Sequence, residues 1–201
     1  MLRMGAALLG AYLLGSIPTA YLVVKRLTGA DVRHVGSGNV GATNVMRAVG
    51  FGPGLFVFLL DGLKGWAAVA LVAPAVLPDG SPAARLACGV AAVVGHTAPV
   101  FLHFRGGKGV ATSIGVLLGA MPAVAVAFVG VWVLCFALWR YVSVGSLAAA
   151  VSLPAAQWLA GQGMAEILLG AGLAALIIVK HRPNIERLLQ GLEHRAGRAS
   201  K

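Results

Sequence analysis

Charge is what this sequence has least of. Charged residues fill 11% of its 201 positions, against about a quarter in an ordinary soluble domain. Acids are the scarcer half: Asp31, Asp61, Asp79, Glu166, Glu186 and Glu193 are all six. None forms the paired clusters with which magnesium-dependent phosphotransferases hold their metal, so no metal site is expected. Cys88 and Cys135 lie inside apolar runs without metal-ligand spacing, which argues against a disulfide framework and a zinc site and leaves them as packed, inert side chains. A G-x-S-x-G elbow is missing too, and with it a hydrolase-type serine nucleophile. No internal repeat, low-complexity tract or soluble domain is visible along residues 1–201, which read as a single integral-membrane domain.

What is present is apolar. Hydrophobic residues make up 59% of the chain and its mean hydropathy is +0.87, which places it in a membrane. Six apolar runs stand out: 4–24, 51–77, 86–101, 110–139, 142–160 and 164–179. The first resembles a signal peptide at its start, but it continues to Val24 and ends at Lys25 and Arg26, so an uncleaved spanning helix is favoured. The fourth is too long for one crossing and contains "GAMP" at 119–122, a plausible break. The net charge of +10 is concentrated between runs and in the tail, where Lys180, Arg182, Arg187, Arg195, Arg198 and Lys201 follow the last run. Cations mark cytoplasmic segments. Placing 25–47, the stretch with Arg105 and Lys108, and the tail on one side requires the fourth run to split at Met121–Pro122. The expected fold is therefore an all-α polytopic membrane protein of about seven transmembrane helices, N-terminus outside and C-terminus cytoplasmic. That topology gathers the polar segments on the cytoplasmic face, where the active site is expected, and makes nucleic acid an unneeded explanation of the charge.

Three polar clusters carry the chemistry. "GSGNVGATNVMR", Gly36–Arg47, interleaves Gly36 and Gly38 with Ser37, Asn39, Thr43 and Asn44 and ends in an arginine. Glycines permit turns that present backbone N–H groups to an anion, and Arg47 offers a planar fork for phosphate. The bland alternative is a turn-rich loop with a topology arginine. "GHTAPVFLHFRGGKGVAT", Gly95–Thr112, contains Gly106, Gly107, Lys108 and Gly109 just before an apolar helix. It is not a Walker A loop, because Leu102 and Gly109 stand where that motif needs glycine and a hydroxyl, so nucleotide hydrolysis is unsupported. A lysine hemmed by glycines at a helix start still favours a phosphate. His96 reads either as a ligand or as a hydrogen-bonded packing residue.

"HRPNIERLLQGLE", His181–Glu193, opens with His181 and Asn184 around Pro183, and Ile185, Leu188, Leu189 and Leu192 follow at helical spacing, as in an amphipathic surface helix. Glu186 stands where the His-x4-Asp pattern of one acyltransferase superfamily has Asp, a weak near-match. Arg187 and Arg195 read as snorkelling anchors. Elsewhere, Asp61 and Lys64 fall on one helical face and can neutralise each other, and Ser143 and Ser146, next to Arg140, read as helix caps facing the same compartment.

These ordered clusters, with "LDGLKG" at 60–65 and "YVSVGS" at 141–146, are similar to the bacterial membrane acyl-phosphate:glycerol-3-phosphate acyltransferases nearly end to end. The resemblance implies transfer of a fatty acyl group from acyl phosphate to the 1-hydroxyl of glycerol 3-phosphate, giving lysophosphatidic acid and inorganic phosphate in phospholipid synthesis at the bacterial cytoplasmic membrane. It implies no cofactor, membrane lipid as surroundings, and a soluble acyl-phosphate-producing enzyme as a partner. By resemblance Ser37, Arg47, Lys108, His181 and Asn184 are catalytic. Gly36, Gly38, Asn39, Thr43, Asn44, His96, Gly106, Gly107, Gly109 and Ser143 are expected around the substrates. The sequence leaves two accounts of the proton: the substrate's own phosphate accepts it, or His96 or His181 does. The rival class, a carrier for phosphorylated anions, would place charges at mid-membrane and show a repeat between halves.

Overall fold

The computed structural model describes residues 1–197; of the tail cations, Arg198 and Lys201 lie outside the described residues. Every regular element among the described residues is helical. The chain divides into two compact units, Met1–Ala120 and Met121–Lys201.

In the first unit α1 (Leu2–Ser16) and α2 (Thr19–Thr28) form one broken apolar span, interrupted where Pro18 removes an N–H. A 3-10 turn (Val32–His34) and α3 (Ala42–Ala48) lead to α4 (Phe51–Ala67), which runs through a π-helical stretch (Ala68–Val72) into α5 (Ala73–Val76). Then come α6 (Pro82–Thr97), a 3-10 turn (Val100–Leu102) and α7 (Val110–Ala120). Lipid removes the hydrophobic drive between helices, so close backbone approach must hold them together. That is what the core shows. Ala7, Ala11, Ala68, Ala73, Cys88 and Ala92 form one buried cluster of small side chains, and a Cβ on Gly15 would collide with the Ala92 carbonyl. Cys88 is packed, as the sequence led us to expect. A second core, Ala20, Val24, Val32, Val40, Ala42, Val45, Val57 and Leu102, lies beneath the polar loops. Large side chains such as Leu9, Phe56, Leu59 and Leu63 point outward, as lipid-facing residues should.

The long fourth run breaks at Met121, the expected place. The residue before a proline is pushed out of the α region, and Met121 is indeed non-helical, with φ −149° and ψ 74°. The 11 residues of α7 reach only about 16 Å, too short for a hydrocarbon core of ~30 Å.

The second unit holds α8 (Pro122–Trp139), α9 (Val142–Leu159), α10 (Met164–Lys180) and α11 (Arg182–Leu189). Trp132 Nε1 donates to Ser146 Oγ at 3.2 Å between α8 and α9. Gln157, fully buried, donates to the Glu166 carbonyl at 3.0 Å at the start of α10. Among the described residues five helical segments are long and apolar enough to cross a membrane, and a sixth if α10 and α11, bent by 56°, count as one. The chain is an integral membrane protein, helical in every regular element of its described residues.

Two smaller expectations change. Ser143 and Ser146 do not cap α9, because the helix begins at Val142 and both hydroxyls already lie inside it; Ser146 bonds back to the Val142 carbonyl at 2.9 Å. The amphipathic stripe also stops early, since α11 ends at Leu189 and Gly191 turns the chain at φ 70°, which leaves Leu192 beyond the helix.

Candidate active site

The first glycine loop is built around one amide. Asn44, buried on α3, accepts the Ser37 N–H at 2.8 Å and the Ser37 hydroxyl at 3.1 Å through Oδ1. Its Nδ2 donates to the carbonyls of Val35 at 2.9 Å and Asn39 at 3.0 Å. Asn44 is thus committed to holding the loop, and Ser37 stands exposed on it at a fixed place. Gly36 and Gly38 adopt φ of 59° and 71°, where L residues are strained. A Cβ on Gly36 would strike the Asn44 oxygen. The approach to the loop is pinned by Asp31, which accepts the Arg33 backbone N–H at 2.9 Å and pairs with its guanidinium at 2.6 Å. Hydrogen bonding from Arg33 draws the Asp31 carboxyl down to about 2. Thr43 and the exposed Arg47 lie on α3, Arg47 in its last turn.

The second glycine loop is seated on His96. The Gly107 N–H donates to the His96 carbonyl at 3.1 Å. A Cβ on Gly106 would strike that carbonyl, and one on Gly107 would strike the His96 ring at Nε2 and come within 2.7 Å of the Val40 carbonyl. Only glycine fits. The same contact joins the two loops, because Val40 belongs to the first. Gly109, at φ 88°, turns the chain into α7. Lys108 is therefore held between two backbone-constrained glycines at the start of a helix, where the dipole and open N–H groups favour an anion.

Beneath this loop lies a charged cluster that the sequence disclosed only in part. Asp61 and Lys64 pair at 2.9 Å as their spacing led us to expect. The same carboxylate oxygen also accepts the Thr19 hydroxyl at 2.5 Å and faces His96 Nδ1 at 3.4 Å. Lys64 reaches further, donating to the Ile17 carbonyl at 3.2 Å where α1 breaks. His96 was singled out as a ligand or a packing residue; its partner 35 positions away has no short-range signal. A recess of about 10 Å³, lined by Ser16, Thr19, Val40, Lys64 and His96 among others, has room for roughly one water.

The third motif sits in the second unit. His181 is buried between α10 and α11, its Nδ1 2.8 Å from the Ile177 carbonyl. Asn184 donates to Glu193 Oε1 at 2.7 Å, and Ser143 to the same oxygen at 2.8 Å. Arg187 completes the set through Glu193 Oε2 at 2.7 Å, so it is an ion-pair partner rather than the snorkelling anchor expected of it. Burial pushes the Glu193 carboxyl up, but hydrogen bonds from Asn184, Ser143 and Arg187 outweigh it and hold the group below its usual range. Glu193 was the residue missed. It closes the quoted motif as an acid with two polar motif residues upstream, which is the one available hint. Among the described residues no three His, Cys, Asp or Glu side chains are grouped to hold a metal.

A profile of the glycerol-3-phosphate acyltransferase family matches residues 5–191, which takes in both units. A glycerol-3-phosphate acyltransferase of Synechococcus sp. (strain JA-3-3Ab) is 49% identical over 95% of this chain and 92% of its own. That of Desulforudis audaxviator is 47% identical over 92% of this chain and 91% of its own. Among solved structures, PlsY (YgiH), an integral membrane glycerol 3-phosphate acyltransferase in its glycerol 3-phosphate form, superposes with a TM-score of 0.89 at 44% identity, covering 96% of each chain. Its lysophosphatidic acid form gives 0.86 at 41% identity, over 96% of this chain and 95% of that one. The chain belongs to the glycerol-3-phosphate acyltransferase family.

Proposed function

We propose that this protein transfers a fatty acyl group from acyl phosphate to the 1-hydroxyl of glycerol 3-phosphate, releasing lysophosphatidic acid and inorganic phosphate. The hydroxyl oxygen attacks the acyl carbonyl carbon, the bond from that carbon to the phosphate oxygen breaks, and the hydroxyl proton leaves with the phosphate. An acyl phosphate is already an activated anhydride, so the step needs orientation and charge stabilisation rather than a covalent enzyme intermediate. Each substrate brings a phosphate of about −1.5 to −2 charge, and two such groups meet only among cations. Arg47 and Lys108 supply them, Ser37 orients a substrate oxygen, and the backbone N–H groups around Gly36, Gly38, Gly106 and Gly107 complete the cradle. His181 and Asn184 are assigned to the same reaction through the third family motif. The observation that carries the reading is the junction of the two glycine loops at Val40 and Gly107, with Lys108 fixed beside it.

The test is turnover by purified protein in detergent with EDTA present, following lysophosphatidic acid and phosphate from acyl phosphate and glycerol 3-phosphate. Arg47→Lys loses the two-point fork, and Lys108→Arg forces a planar group between glycines. Each loses a charge-assisted bond of roughly 1.5–3 kcal/mol, so kcat/KM should fall on the order of ten- to a hundredfold with normal membrane insertion. Arg198→Lys serves as the neutral control. Wild-type kinetics in both swaps, or turnover that requires added magnesium, would contradict the reading.

We also assign the chain seven crossings of the bacterial inner membrane, a number that counts the short α7 and α10 beside the five longer spans. The motif-bearing loops face the cytoplasm; the positive charge of those loops, which this number places on one side, supports the assignment. A reporter inserted at 79–81 should read external and one after Lys201 cytoplasmic. The opposite pattern overturns the orientation.

A further inference from the structure

Asp61 has no part in the chemistry described so far. It lies on α4 within the apolar span Phe51–Val76, with its side chain 1% exposed. A carboxylate at that depth is expensive, and such residues are kept for a purpose that their partners reveal. Lys64 alone would neutralise it. The carboxylate nevertheless gathers two further groups, Thr19 Oγ1 at 2.5 Å from the start of α2 and His96 Nδ1 at 3.4 Å from the end of α6. With its proton on Nδ1 directed at Asp61, the imidazole is fixed in plane and tautomer. Its other nitrogen is then turned toward Gly107, at the place where a Cβ would collide with it, while the His96 carbonyl takes the Gly107 N–H at 3.1 Å. One residue thus bounds the glycine loop with its ring and bonds it with its backbone carbonyl, and Asp61 fixes that ring.

We propose that Asp61 is a positioning residue for the reaction. Through the His96 ring it fixes the backbone at Gly106 and Gly107, and with it Lys108, in phosphate-binding geometry. Thr19 and Lys64 set the carboxylate's own place, Lys64 by bridging Asp61 to the Ile17 carbonyl. The inference rests on the reading of this loop as a phosphate site. Helix fastening alone would predict lost stability when Asp61 is changed. Positioning predicts a loss in the binding of one particular substrate by protein that is still folded.

The experiment compares wild type, Lys108→Arg, Asp61→Asn, His96→Asn and the Asp61→Asn/His96→Asn double variant, each purified in detergent. KM and kcat are measured for acyl phosphate and for glycerol 3-phosphate, with melting temperature alongside. Lys108→Arg identifies which KM reports the loop. Asp61→Asn should raise that same KM about tenfold and the other KM little, as expected for a misplaced binding group. The double variant should be no worse than His96→Asn alone, because the two act in series. Additive losses, or a lower melting temperature with both KM values at wild type, would overturn the inference. Should Asp61→Asn fail to fold, Thr19→Val removes one donor and leaves every charge in place. It should raise the same KM by about two- to threefold, and an unchanged KM counts against the proposal. If wild type forms no lysophosphatidic acid, the phosphate-site reading and the inference fall together. If wild type turns over and only the Lys108 variant shifts KM, the inference alone falls.

Discussion

Asp61 in the first unit and Glu193 in the second are both carboxylates with little exposure, 1% and 4% of their side chains, and each faces three donor groups. Asp61 faces a hydroxyl, an ammonium and an imidazole; Glu193 takes a hydroxyl, an amide and a guanidinium. The two differ in where the balancing charge comes from. Asp61 carries its cation on its own helix, three residues on, so the pair is neutral before the helix meets anything else. Glu193 lies beyond the end of α11 and receives Arg187 and Asn184 from that helix and Ser143 from α9. The first is a charge pair that a spanning helix can bring into lipid intact. The second exists only once the tail has folded back on its unit, and Arg140 helps to bind it there through the Ala196 N–H and carbonyl at 2.8 and 3.1 Å.

The comparison breaks most visibly at Glu193. Glu193→Ala leaves Ser143, Asn184 and Arg187 without their shared acceptor. Arg187, with a side chain 36% exposed, can turn to water, while the buried Ser143 and Asn184 cannot do so without rearrangement. Removing one partner from such a set should cost about 2–4 kcal/mol. The expected result is a clearly lower melting temperature in detergent and less folded protein, measured beside Glu193→Gln, which retains a hydrogen-bonding oxygen and should lose less. Equal stability of the alanine variant and wild type would mean that the tail cluster is not a fastening.

How much of this was legible beforehand depends on the range of each interaction. The break at Met121 and the Asp61–Lys64 pair rest on neighbours within a helical turn, and both were readable. So were the two glycine loops as units, because their residues are contiguous. The commitment of Asn44 to Ser37, the seat of Gly107 on His96 and the donors of Glu193 were not. They are set by how the chain packs, through contacts 7 residues apart for Asn44, 11 for Gly107 and, for Glu193, 50 to Ser143, 9 to Asn184 and 6 to Arg187, and periodicity carries no information on them. Ser143 shows the consequence. Its position beside a helix start read as a cap, yet its hydroxyl goes to a carboxylate far along the chain.

The smallest effect concerns protons and isolates Glu193 from the other carboxylates. Hydrogen bonds hold the folded Glu193 carboxyl below its ordinary value near 4.5. A group depressed on folding adds stability that is complete above its unfolded value and is lost as pH falls through the folded one. Wild type should therefore exceed Glu193→Gln in stability at neutral pH, and the gap should close as the pH is lowered below the ordinary carboxylate value. Asp31, drawn down to about 2 by Arg33, and Asp61 are present in both proteins and cancel from the difference. Melting temperatures of the two proteins along one pH series measure that difference. A gap that stays constant, or widens on acidification, would show that the three donors bind Glu193 at least as well in its protonated form. The Glu193 cluster would then owe its strength to shape rather than charge.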